Sequence, residues 1–115
     1  MPLKIKRAYE EATKDDGFRV LVDRIWPRGV SKEEAHIDEW LKDIAPSTEL
    51  RKWFGHDPEK WGEFEKKFRA EIQGNEAAWK QLQEIVQKHR IVTLVYAAKD
   101  ELHNNAVVLL KMLKG

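Results

Sequence analysis

Residues 18–34, FRVLVDRIWPRGVSKEE, pass from an apolar strand through a basic turn into a helix start. Val20, Leu21 and Val22 follow one another without polar alternation, which suits a strand covered on both faces. We read that strand as Arg19 to Asp23. Arg24, Trp26, Pro27, Arg28 and Gly29 then form a turn, and Ser31 stands three residues before Glu34, the spacing of a capping box. Backbone N–H groups at a helix start, beside two arginines, are a place to hold an anion.

Working outward from this stretch, Leu3 to Tyr9 reads as a first strand, with Leu3, Ile5 and Arg7 on one face. Asp15-Asp16-Gly17 is a turn signal, and the connector it closes is too short for a full crossover helix. On these residues alone a hairpin is the simpler relation between the first two strands. His36 to Ile44 is ambiguous. Ile37, Trp40, Leu41 and Ile44 have helical spacing, and a short strand ending at Ala45-Pro46-Ser47 is the rival. Pro46 ends either element. Ser47 or Thr48 can cap a short helix from Glu49 to Phe54, closed by Gly55.

Asp57 with Pro58 opens the next helix, whose seam is Trp61, Phe64, Phe68 and Ile72, and Gly74 ends it. Asn75 caps another, with Trp79, Leu82, Ile85 and Val86 inward and His89 solvated at its end. Ile91 to Ala97, IVTLVYA, is a buried strand. A polar loop, Ala98 to His103, leads to a last helix from about Asn104 to Leu113. Strands separated by helices predict a single α/β domain over residues 1–115, with a small, largely parallel four-stranded sheet flanked by helices.

Composition narrows the function. A 115-residue chain fits one domain with one modest core. Five tryptophans and four phenylalanines supply its large apolar surfaces, while 36% charged residues supply a solvated exterior. The net charge is +1, and the cations alternate with acids along the helices, which argues against nucleic acid as a partner. There is no cysteine, so disulfides, thiol nucleophiles and cysteine metal sites are excluded. The four histidines share no spacing, and no phosphate-loop, dinucleotide or zinc signature is present. We therefore expect neither metal nor cofactor. No run approaches transmembrane length and no apolar signal core opens the chain, so a cytoplasmic protein without membrane contact is expected.

In parallel sheets, ligands bind beyond the carboxyl ends of the strands. One strong strand ends in Asp23-Arg24, Trp26, Arg28 and Gly29, and the other in Lys99-Asp100 with His103-Asn104-Asn105. If 36–44 holds a third parallel strand, Asp43 and Ser47 join them. Arg24, Trp26, Arg28, Gly29, Ser31, Ser47, Lys99 and Asn104 are the candidate ligand-binding residues, since arginines offer planar, multi-donor contacts to phosphate or carboxylate. Asp43, Asp100 and His103 are the candidate acids and bases. Each has a structural alternative. Arg24 could instead pair with Asp23, Asp43 or Asp100, Trp26 could anchor the loop, and Asp100 could cap the last helix.

The blocks VLVDRIWPRGVSKEE, WLKDIAPSTELRKWFGHDPEKW and LVYAAKDELHNNAVVL resemble the YeaO-like family of bacterial domains of unknown function, the DUF 488 family. The resemblance runs from about Ile5 to Leu113. It implies a single α/β domain, a strand over His36 to Ile44 preceded by a short helical turn, and a parallel relation between the first two strands, with a shortened crossover. It also places Arg51, Phe54, His56, Asp57 and Pro58 in a family motif. Longer relatives are expected to carry a Cys-His pair where this chain has Asn104-Asn105, so thiol chemistry does not transfer.

Three functions fit these residues. The first is a pocket for a small anionic or phosphate-bearing ligand, with catalysis undecided. The second is an interaction module acting through a partner or as a homodimer, marked by an exposed apolar patch containing a tryptophan. The third is a nucleic-acid-associated regulator, which needs a coherent basic face.

Overall fold

The computed structural model describes residues 2–115. The strands are β1 (Leu3–Arg7), β2 (Phe18–Leu21), β3 (Glu39–Trp40) and β4 (Val92–Tyr96). The helices are α1 (Lys32–Ala35), α2 (Thr48–Phe54), α3 (Trp61–Gln73), α4 (Glu76–Lys88) and α5 (Asn105–Lys114). The sheet order is β1-β4-β2-β3, and every neighbouring pair is parallel. This is the expected four-stranded α/β domain.

The hairpin that the short connector suggested does not form. The register Leu3↔Val92 and Phe18↔Val92 puts β4 between β1 and β2, so the first two strands are parallel without touching each other. The connector folds into a 3-10 turn, Lys14–Asp16. Gly17 follows with φ +64°, and a Cβ there would collide with Ile91. Its backbone therefore demands glycine twice over.

The ambiguous segment resolves as the family resemblance implied. Helix α1 is one short turn, Glu39–Trp40 is a strand on the sheet edge, and Lys42–Ile44 is a 3-10 turn. The strand is far shorter than 36–44. The helical spacing arises because Leu41, just before the 3-10 turn, and Ile44, at its end, face the core beside Ala45.

The sheet separates two unequal cores. Val20, Val22, Leu94 and Tyr96 face helices α2 to α5, meeting Phe54, Phe64, Phe68, Leu82 and Leu109. Leu21 and Val95 face the other way, under Trp26, Ile37 and Trp40 from the segment between β2 and β3. Phe64, Phe68 and Ile72 form the buried seam of α3. Fully burying such side chains contributes about 1.5–3 kcal/mol each.

The second face also holds a charged knot that the apolar reading of β2 overlooked. Arg19 is buried, donating to Asp16 at 2.6 Å and to the Ala35 carbonyl at 3.0 Å. Lys6 reaches the same carboxylate at 3.2 Å. Burial opposes ionisation of Asp16, but the Thr13 N–H, Lys6 and Arg19 outweigh it and hold its pKa at about 2. Another departure concerns His89, expected in solvent. It is half-buried, its ring stacked on Phe18 with centroids 3.8 Å apart. No helix is long and apolar enough to cross a membrane among the described residues.

Candidate functional site

The loops beyond the carboxyl ends of β1, β2 and β4 are tied to one another. Arg7, last in β1, donates to the carbonyls of Ala98 and Ala97 at 2.8 and 3.2 Å. Tyr9 donates its hydroxyl proton to the Arg28 carbonyl at 2.9 Å. The centre of this edge is Asp23, two residues past β2. One carboxylate oxygen accepts from the Ala97 N–H at 2.9 Å, and the other from the Asn105 side chain at 3.0 Å. Asn105 also donates to the Val22 carbonyl, and the Trp40 indole donates to the Asp23 carbonyl. Burial pushes the Asp23 carboxyl up, against these hydrogen bonds and the positive fields of Arg51 and His56.

Arg51 and His56 are brought here by α2 and its exit. Ser47 caps α2 by accepting from the Leu50 N–H, which fixes the helix start. Gly55 and His56 then both take left-handed backbone conformations, φ +54° and +59°. Such a turn is ordinary for glycine and uncommon for histidine. The Arg51 guanidinium is half-buried and makes no ion pair among the described residues.

The sequence candidates fall into three places. Asp100, His103 and Asn104 share the turn from β4 to α5. Asp100 accepts from His103 Nδ1 at 2.8 Å and from the N–H groups of Leu102 and His103. The His103 bond and then the Leu102 N–H lower the Asp100 pKa. Asn104, not Asp100, caps α5, accepting from the Val107 N–H. His103 rests its ring edge-on against Trp61 at 5.2 Å, and Lys99 is exposed in the same loop.

Arg24, Asp43 and Ser47 line a second place, a cleft of about 200 Å³ with Glu71 and Asn75. Arg24 does not pair with an aspartate. It donates to the carbonyls of Ala45 and Pro46 at 3.1 and 3.3 Å. Arg28, Gly29 and Ser31 stand apart in an exposed turn closed by the Trp26 indole, which donates to the Val30 carbonyl. The capping box predicted there is present. Its Ser31 N–H is taken by the chain's own Glu34 carboxylate at 3.2 Å.

The sequence places Asp23 and Asn105 at the strand ends but not among the candidate site residues, and Arg51 and His56 are not among them either. The signal for Asp23 is its place, the first acid after Val20-Leu21-Val22. No sequence rule brings Arg51 to it, because that depends on how α2 packs.

The family model described as "Inactive DUF488-N3 subclade" matches residues 2–115. The chain belongs to the YeaO-like DUF488 family. Among relatives of this family, it is 42% identical over 115 residues to the Escherichia coli protein named "Uncharacterized protein YeaO", covering all of this chain and 99% of that one. It is 40% identical over 113 residues to "Uncharacterized protein Rv3073c" of Mycobacterium tuberculosis, covering 98% and 94%. A Mycobacterium bovis protein, "Uncharacterized protein Mb3100c", matches to the same extent. No solved structure matches.

Proposed function

We propose that this domain binds a small anionic, phosphate-bearing ligand at the carboxyl edge of the sheet and does not turn it over. The observation that carries this is Arg51, a half-buried guanidinium without an ion-pair partner among the described residues, in whose field the half-buried Asp23 carboxyl sits. A guanidinium offers a planar fork of donors to phosphate or carboxylate. His56, strained into the same turn, adds a second donor. Burial raises the Asp23 pKa, against the hydrogen bonds from Asn105 and Ala97.

The anion position thus moves from the Ser31 helix start, where Glu34 occupies the donor, to Arg51. The Asp100–His103 pair on the neighbouring loop would orient the rest of the ligand, while the buried Asn104 amide holds that loop to α5. Binding without turnover accords with the word "inactive" in the family description. We read the protein as cytoplasmic, which a cysteine-free chain suits. The test is a thermal shift with inorganic phosphate. Wild type should gain about 2.7 kcal/mol at one hundred times the dissociation constant, and Arg51→Gln should gain almost nothing. Equal shifts for both proteins would overturn the reading.

One observation favours a second reading, self-association. Tyr9, Ile25 and Leu102, the large apolar residues exposed among the described ones, all sit on loops beyond β1, β2 and β4. The tryptophans are half-buried and contribute less to such a surface. Light scattering would report a dimer that Ile25→Glu dissociates, or a monomer that ends this reading.

A further inference from the structure

The cleft beside the Lys42–Ile44 turn has a chemistry of its own. Arg24 is fixed there by the Ala45 and Pro46 carbonyls, which engage Nε and Nη2 and leave Nη1 without a partner. Asp43 is exposed, and its carboxylate makes no ion pair or hydrogen bond among the described residues, whereas its main-chain carbonyl accepts from the Asn75 side chain at 2.9 Å. Asn75 stands in the N-cap position of α4 yet makes no side-chain capping bond, because its amide is engaged with Asp43. Glu71 is already occupied, accepting from the Ser47 N–H and hydroxyl at 2.9 and 2.6 Å. Phe68 and Ile72 lie beneath the floor, buried in the core.

The cleft therefore offers one oriented cationic donor and one free carboxylate. A simple anion would meet the field of Asp43 and Glu71, and a simple cation would meet Arg24. A dipolar ligand satisfies both ends. The volume of about 200 Å³ falls below the roughly 300–1,000 Å³ of pockets for drug-sized ligands, so the ligand is on the scale of a single amino acid.

We infer that this cleft binds a small zwitterion of the amino-acid type, its carboxylate on Arg24 and its ammonium on Asp43. The site is separate from the Arg51 reading and does not depend on it.

The test is a titration of the full chain with L-leucine, followed by amide chemical shifts. The controls are 4-methylpentanoate, which lacks the ammonium, and 3-methylbutylamine, which lacks the carboxylate. Leucine should move amides in 42–47 and 71–78, and neither control should do so at the same concentration. Asp43→Asn removes a charge that makes no ion pair or hydrogen bond among the described residues, so the protein should keep its melting temperature and lose affinity for leucine by about tenfold or more. Arg51→Gln should leave leucine binding unchanged. Absence of shifts in those segments, equal binding of either control, or full affinity in Asp43→Asn would each overturn the inference.

Discussion

The Asn105 side chain donates at once to Asp23 at 3.0 Å and to the Val22 carbonyl at 2.9 Å, fastening the first turn of α5 to the end of β2. Together with the Ala97 N–H on Asp23, this joins both central strands and the last helix at one carboxyl group. Asn105→Ala leaves the carbonyl of the buried Val22 and an oxygen of the half-buried Asp23 short of a donor. It should cost about 1–3 kcal/mol in a urea unfolding experiment. An unchanged unfolding midpoint would show that water replaces the amide without loss.

Asp23 also sets a pH dependence of known sign. Burial raises its folded-state pKa above the ordinary 3.8. Its contribution to stability is therefore fully present below 3.8 and is lost as pH rises through the folded value. Melting temperatures of wild type and Asp23→Asn, followed from pH 7 down to 4, should converge or cross in favour of wild type as the pH falls. Parallel curves would contradict the assignment.

Asp16 works in the opposite direction. Its pKa of about 2 in the fold lies below 3.8, so its contribution is present above 3.8 and is lost as the pH falls through 2. The difference is worth about 2 kcal/mol near neutrality. Removing the charge leaves Arg19 buried, with Nη2 already lacking a partner among the described residues. Asp16→Asn should therefore destabilise by about 3–5 kcal/mol at pH 7, and the gap from wild type should narrow near pH 2.

Gly17 supplies a purely steric prediction. Its φ of +64° and the approach of Ile91 leave no room for a side chain. Gly17→Ala should cost at least about 1–3 kcal/mol from backbone strain alone, read as a lowered melting temperature.

What the sequence made legible follows from the range of the forces involved. The capping box at Ser31, the cap at Ser47 and the α3 seam depend on neighbours within one or two turns, and they appear where their residues predict them. Two misread features depend on residues distant in the chain. The hairpin was suggested because nothing in residues 8–17 announces that β4, some seventy residues later, will enter between β1 and β2. His89 looked solvated because its stacking partner, Phe18, belongs to another element. The same limit hid part of the candidate site. Arg24, Asp43 and Ser47 could be grouped because they follow parallel strands, but Arg51 reaches Asp23 only through the packing of α2. The Ser31 turn was attractive for its exposed N–H groups, and a carboxylate three residues on had already answered them.

The most direct test of the account is an amide chemical-shift titration with inorganic phosphate, run on wild type and Arg51→Gln. The account predicts saturable shifts in wild type at Asp23, Arg51, His56 and Asn105, and their loss in Arg51→Gln while the rest of the spectrum is preserved. Shifts confined to the Arg28–Ser31 turn, or saturable shifts that survive in Arg51→Gln, would contradict it.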